Sequence, residues 1–265
     1  MKRTPITSYT LGADPEFFVF NTAENRIISS DGIIPGEKGQ PYTKGLPKGY
    51  GIEVDNILGE YNIPPCTTRE EWLNNHLFIL AWIKDFLHSK NPNYSIKHAA
   101  SSHIDEDQLQ TDVAKEFGCS MDYNVYTEEA NPKPNGAVTN LRSTGCHIHF
   151  GYDKPSLATS FTLLKYFDMF LGIPSIIVDQ DTERRSLYGK AGCFRLTRYG
   201  FEYRTLSGIW ISSADKIDWM YLQVEKAVEA YNNEVPLVDA EEVQRVINNS
   251  DFTAAERFCK DFKLI

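Results

Sequence analysis

The sequence predicts an α+β fold, on three observations. Short apolar runs bounded by Gly and Pro fill the first sixty residues and recur at 146–151 and 192–206. Longer stretches with apolar residues at helical spacing lie between and after them. Strands and helices come in groups rather than in strict alternation, which favours antiparallel pairing over repeated βαβ units.

Glu16 to Phe20 reads as a strand that follows a Gly-Ala-Asp-Pro turn, and Arg26 to Ser30 as a second strand closed by Asp31-Gly32. Residues 35–51, rich in Gly, Pro and Lys, read as a long exposed loop of the kind that carries function or acts as a lid. Gly51–Asp55 and Leu58–Ile63 read as strands ended by Pro64-Pro65. Thr68, with Glu71 three residues on, is a capping-box signature. Behind it a helix over 69–88 is expected to bury Leu73, Leu77, Leu80 and Leu87, with Trp72, Ile79, Ile83 and Phe86 widening the stripe. Asp105–Phe117 suggests a weaker polar helix, and 119–140 a loop.

Cys146–Gly151 reads as a strand, and Pro155 opens a helix carrying Leu157, Phe161, Leu164, Phe167 and Leu171. Gly192–Leu196 and Phe201–Leu206 form a hairpin around Thr197–Gly200. Ser212 with Asp215 is expected to cap a further helix with Ile217, Met220, Tyr221, Val224, Val228 and Tyr231 on one side, and short helices to close the chain. One domain over 1–265 is expected, its C-terminal helical segment beginning at about 212.

The formal charge of −9 argues against nucleic acid as a default partner, because phosphate backbones select clustered Lys and Arg. The N-terminus has no apolar core segment, and no run in the sequence reads as a membrane span. The five cysteines (Cys66, Cys119, Cys146, Cys193, Cys259) are scattered, with no CxxC pair, as expected for buried thiols in a reducing cytoplasm.

Strand alternation sorts the polar residues. Asp14 and Glu16 share a face; so do Glu60 and Asn62, His147 and His149, and Glu202 and Arg204. Singly, each has an ordinary alternative: a turn, a surface histidine pair, a cross-strand salt bridge worth little. Jointly they put acids and imidazoles where a solvent face usually carries Lys, Thr, Ser and Gln. Two carboxylates about 4 Å apart repel by about 4 kcal/mol at an effective dielectric of 20, and a divalent cation removes that cost. Oxygen ligands with one imidazole suit magnesium or manganese. The segment from Glu183 to Arg204 adds Arg184, Arg185, Lys190, Arg195, Arg198 and Arg204, either a basic loop or a phosphate clamp.

In this order the clusters resemble the amidoligase superfamily of glutamine synthetase and glutamate–cysteine ligase, and within it the phage-associated carboxylate–amine ligase type 2 family. The matching stretches are Gly12–Phe18, Asp55–Pro65, Phe117–Tyr126, Leu141–Gly151 and Tyr188–Ser207, with the strings at Arg142–Gly151 and Gly200–Ser207 specific in combination. The resemblance implies a glutamine-synthetase-like catalytic domain, a curved antiparallel sheet with helices on its convex side. It implies an ADP-forming carboxylate–amine ligase that works through an acyl phosphate, with ATP and two Mg2+ or Mn2+ ions as cofactors.

By the same resemblance, Glu16 and Glu60 are ligands of the metal near the acceptor carboxylate. Asp14, His147 and Glu202 are ligands of the metal near the ATP phosphates. His149 contacts the nucleotide, and Arg185, Arg195, Arg204, Lys190 and Arg198 contact phosphate. Asp55 orients the amine or a water, and Glu60 and Asp55 are the candidates for general base. Asp14 stands where the superfamily often has Glu, and Cys193 where an acidic or small residue is expected. The implied partners are small-molecule or peptide carboxylates and amines, without nucleic acid or membrane; a homo-oligomer is compatible with the family. The implied place is the cytoplasm, the host's if the chain is phage-encoded. Two rival readings stand beside this: a zinc-type metallohydrolase using His147 and His149, and a non-catalytic nucleotide-binding phage protein.

Overall fold

The computed structural model describes residues 3–115, 121–132 and 139–264. Cys119, the stretch 117–119 and the end of the helix expected at 105–117 lie outside them. The strands in chain order are β1 (Tyr9–Asn21), β2 (Arg26–Ile28), β3 (Gly36–Glu37), β4 (Gln40–Pro41), β5 (Gly51–Asp55), β6 (Leu58–Asn62), β7 (Tyr94–Lys97), β8 (Ser101–His103), β9 (Tyr123–Asn124), β10 (Leu141–Ser143), β11 (Cys146–Tyr152), β12 (Cys193–Thr197) and β13 (Gly200–Tyr203). The α-helices are α1 (Arg69–Lys90), α2 (Asp112–Lys115), α3 (Leu157–Phe167), α4 (Ile173–Val178), α5 (Arg184–Leu187), α6 (Ala214–Asn232), α7 (Ala240–Asn248) and α8 (Phe252–Phe262).

The expected α+β class holds. Nine strands form one antiparallel sheet in the order β5-β6-β1-β11-β13-β12-β9, with β2 and β7 on the far half of β1. The spine is β1, which pairs with β11 through residues 9–15, with β6 at Glu16 and Phe17, and with β2 and β7 beyond. The Gly-Ala-Asp-Pro stretch, expected as a turn, is therefore strand: Asp14 stands opposite His147 and Pro15 opposite Cys146. Pairing on both sides outweighs the turn preference of Asp-Pro.

The sheet has one apolar face. Ile148, Phe150, Phe201 and Tyr203 are buried there, and Phe167 of α3 meets Phe150, Phe201 and Tyr203 edge-on at 5.2–5.5 Å. Helices α1, α3 and α6 pack in one layer, Trp72 Nε1 of α1 donating to Ile217 O of α6 at 2.8 Å. The Thr68–Glu71 capping box is present, but the buried stripe of α1 is Trp72, His76, Ile79, Ile83 and Leu87. Of the expected leucines, Leu87 is buried, Leu73 and Leu80 are half-buried against the core, and Leu77 is 41% exposed, so the stripe is centred on Trp72, Ile79 and Ile83. His76 bonds to Tyr61 Oη at 2.8 Å, and burial pushes its pKa down to about 3, which keeps it neutral.

The cap of α6 is Ser213 rather than Ser212; Ser213 accepts from Lys216 N, and Ser212 Oγ instead takes the Lys216 ammonium at 2.7 Å. Residues 35–51 are not plain loop but carry the β3–β4 ribbon.

The sequence reading found no membrane-length run, yet Leu157–Val178 is one continuous helical stretch of 22 residues, long and apolar enough by composition to span a membrane. A π-helical turn at Asp168–Gly172 joins α3 to α4 and supplies that continuity. Its most apolar window is 72% buried inside the protein, as a core helix is. At the π-turn Asp168 is wholly buried and accepts from Tyr203 Oη at 2.7 Å and Tyr126 Oη at 3.0 Å.

Burial pushes the Asp168 carboxyl up to about 7, against the hydrogen bonds that favour its charge. The folded state then holds a proton that the unfolded chain loses above its ordinary pKa of 3.8. Stability consequently falls as pH rises from about 4 to about 7, by up to roughly 1.4 kcal/mol per unit, and is level above that. Urea melts of the parent and Asp168→Asn across this window test it. The parent is expected to lose stability relative to the variant as pH rises; a constant difference contradicts the assignment.

Candidate active site

The face of the sheet opposite the aromatic core carries the acids. Because β1 lies between β6 and β11, its alternate residues Asp14 and Glu16 project from one face toward both neighbours. Two three-residue groups result. Glu16, Asp55 and Glu60 come from β1, β5 and β6; Asp14, His147 and Glu202 come from β1, β11 and β13. In each group the three candidate ligand atoms lie within 4.8 Å of one another. Glu16, Asp55, His147 and Glu202 are buried, and Asp14 and Glu60 are partly so.

The residues fit divalent cations by donor chemistry: three carboxylates in one group, two carboxylates and an imidazole in the other. Asp14 Oδ1 is buried with no well-directed hydrogen bond among the described residues, although His147 Nδ1 stands 3.3 Å away. Electrostatics give the same picture. Burial and then the charges of Asp14, Glu16, Asp55 and Glu53 hold the Glu60 pKa well above the usual carboxylate range. Burial and then Asp55 raise that of Glu16. Burial would also raise Asp14, but His149 and His147 outweigh it and hold Asp14 low.

The imidazoles divide between partners. His147 Nδ1 lies 3.3 Å from Asp14 Oδ1 and 3.4 Å from Glu202 Oε1. His149 Nε2 lies 3.1 Å from Asp14 Oδ2, and its Nδ1 bonds to Tyr199 Oη at 2.5 Å. Among the described residues no candidate metal group holds both histidines, which removes the main support of a zinc site built on the pair.

The cations sort differently from a single clamp. Arg195 Nε donates to Glu202 Oε2 at 2.7 Å, Arg204 Nη1 donates to Glu202 Oε1, and both arginines line the cleft. Arg184 is buried and donates to the carbonyls of Thr144, Thr205 and Leu206 at 2.7–2.8 Å, tying loop to sheet. Arg185 donates to Asp181 O at 2.8 Å and Ser250 Oγ at 3.2 Å, and it does not line the cleft. The physical reason is α5: a helical turn at 184–187 sends neighbouring side chains in different directions. Arg198 is exposed on the β12–β13 turn, and Lys190 is half-buried outside the cleft-lining set.

The cleft has two compartments. One, of about 540 Å3, is lined by Gly12, Ala13, Tyr61, Ile63, Tyr199 and His149 and bordered by Asp14, Glu53 and Glu60. The other, of about 240 Å3, is lined by Glu16, Asp55 and Glu60 and by Asp14 and His147, with Lys38, Arg195 and Arg204; Glu202 lies buried beneath it.

Several of these residues escaped the sequence reading. Glu53 was detectable, since alternation puts it on the face of Asp55. Gly145 gave no signal: its N–H donates to Glu16 Oε2 at 2.6 Å, and a Cβ there would come within 2.4 Å of His147 Nε2. Lys38, 2.7 Å from Asp55 Oδ1, depends on how the ribbon folds over. Cys193 is buried, with Asn131 Nδ2 at 3.3 Å from its sulfur.

Residues 136–254 match the model of a family described as phage phiEco32-like COOH.NH2 ligase-type 2. The family that the motifs resemble is thus the one whose model matches residues 136–254. No curated protein matches the sequence. Among solved structures, a bifunctional glutathione synthetase from Pasteurella multocida is similar at 12% identity and a TM-score of 0.46, over 97% of this chain and 49% of its own. GmaS without ligand is similar at 12% identity and a TM-score of 0.45, over 97% of this chain and 69% of its own. The chain therefore spans about half the length of the first.

Glu202 carries the largest structural load of the site, because it is fully buried between two guanidinium groups. Glu202→Ala is expected to lower stability by about 3 kcal/mol, since Arg195 and Arg204 lose the buried carboxylate they share, Arg204 keeping Asp122 Oδ2 at 3.7 Å. Arg198→Ala, on the exposed turn, is expected to cost less than about 0.5 kcal/mol. Urea denaturation of both variants measures this, and equal small losses contradict the geometry.

Proposed function

Taking the match to the carboxylate–amine ligase type 2 family as premise, we propose that the chain joins a carboxylate to an amine at the expense of ATP, through an acyl phosphate. The observation that carries this reading is the pair of metal-competent groups, Glu16–Asp55–Glu60 and Asp14–His147–Glu202, set side by side on one sheet face. Reactions between carboxylate and phosphate bring together charges of one sign, and a site built for them must carry cations.

Divalent ions held by Glu16, Asp55 and Glu60 and by Asp14, His147 and Glu202 would neutralise the acids and supply Lewis acidity to phosphoryl oxygens. The remaining work falls to the protein. Arg195 and Arg204 sit at Glu202, where their planar donors face the cleft and stabilise charge on a transferring phosphoryl group. His149, fixed between Asp14 and Tyr199 at the edge of the larger compartment, contacts the nucleotide seated there. The acceptor carboxylate lies in the smaller compartment and takes the γ-phosphoryl group, releasing ADP. A neutral amine then attacks the acyl carbon, phosphate leaves, and a carboxylate of the cleft accepts the amine proton. The catalytic unit draws on strands from β1 to β13, and one of its hydrophobic clusters takes residues from Ile6 to Leu264.

The test is ADP release by purified protein with Mg2+, ATP and a matrix of carboxylates and amines. The parent is expected to release ADP only when a carboxylate is present. Glu60→Gln is expected to slow release by about a hundredfold or more, as loss of a charge-stabilising group does. A parent that neither binds Mg-ATP nor releases ADP with any pair overturns the proposal.

A further inference from the structure

The β3–β4 ribbon leaves the edge of the sheet and folds back over the acids. Its root is fixed: Tyr42 N donates to Ile52 O at 2.8 Å and Ile52 N to Tyr42 O at 3.1 Å. Gly36, at φ +90°, lies so close that a Cβ would stand 2.6 Å from Ile52 O, so only glycine fits there. From this root the two-residue tip, Lys38-Gly39, reaches the smaller compartment and lines it together with Glu16, Asp55 and Glu60. Lys38 Nζ stands 2.7 Å from Asp55 Oδ1, and Gly39 N donates to Glu53 Oε2 at 3.1 Å. Asp55 is 4% exposed, so this ion pair has one buried member, unlike an ordinary surface pair.

We propose that Lys38 is the built-in counter-cation of the Glu16–Asp55–Glu60 group, and that its ammonium and a divalent ion hold that group in turn. The inference rests on the cation reading given under Proposed function. Three carboxylates brought within 4.8 Å repel unless something positive stands among them. Before a metal arrives, the tethered ammonium supplies that charge and keeps Asp55 facing the cleft. A divalent ion on the same three carboxylates repels the ammonium across a distance too short for solvent to screen. Loading the site therefore releases the tip, while the Tyr42–Ile52 root stays in place. The released ammonium is then free to meet an anionic substrate entering the same compartment. Lys38 is in this sense a positioning residue: it acts through the carboxylates.

Manganese alone is a sufficient probe. Mn2+ titration calorimetry compares the parent with Lys38→Gln, an uncharged substitution at a half-exposed tip that leaves the core untouched. The variant is expected to bind one Mn2+ about tenfold or more tightly than the parent, because the competing charge is gone. Glu60→Gln in either background is expected to abolish that same site. Hydrogen exchange over residues 33–46 gives a second readout. In the parent, Mn2+ is expected to speed exchange at the tip, where ordinary ligand binding slows it; in Lys38→Gln the tip exchanges fast with or without Mn2+. Equal or weaker Mn2+ binding by Lys38→Gln, or slower exchange at the tip of the loaded parent, overturns the inference and leaves the ligase reading standing. Failure of parent and variant alike to bind Mn2+ overturns both.

Discussion

Like charges brought close together on one face of a sheet are the constraint around which this protein is organised. Asp14, Glu16, Asp55, Glu60 and Glu202 come from four strands, β1, β5, β6 and β13, and meet with His147 of β11 because β5, β6, β1, β11 and β13 are successive neighbours in one sheet. Folding gains nothing directly from their meeting. The opposite face supplies the stability, through Phe150, Phe167, Phe201 and Tyr203 and the helices behind them. One face is thus spent on cohesion so that the other can hold an electrostatically costly arrangement, as functional sites commonly do.

The protein limits that cost locally. Glu202 is flanked by Arg195 and Arg204. Asp14 is flanked by two imidazoles, Asp55 by the ammonium of Lys38, and Glu16 by the N–H of Gly145. Glu60 has acidic neighbours on every side that raises its pKa. The group around Glu60 is therefore the one with most to gain from an added cation. The arginines next to Glu202 line the cleft and suit an anion there, whereas the group around Glu60 suits a cation.

Much of this was legible in the sequence. Alternation along Asp14–Glu16, His147–His149 and Glu202–Arg204 set the charged face correctly because period-2 geometry is local. The stripe expected on α1 held only in part, because the burial of a helix is decided by its partners: Trp72, Ile79, Ile83 and Leu87 are buried as expected, while Leu77 faces out. The arginine segment divides for a related reason: Arg195 and Arg204 line the cleft, whereas Arg184 and Arg185 sit on a four-residue helical turn too short for periodicity to reveal, Arg184 donating to backbone carbonyls of distant segments and Arg185 to Asp181 O and Ser250 Oγ. Lys38 and Gly145 act through contacts made only when distant strands assemble, so no pattern within their own stretch announces them.

The claim on which the rest depends is that the two acidic groups are cation sites. Crystals grown with Mn2+ and measured at its absorption edge test it most directly. The account predicts two anomalous peaks, each about 2.0–2.6 Å from its ligands, one among Glu16, Asp55 and Glu60 and one among Asp14, His147 and Glu202. An anomalous map with no peak at either group, at Mn2+ concentrations that saturate surface sites, contradicts it.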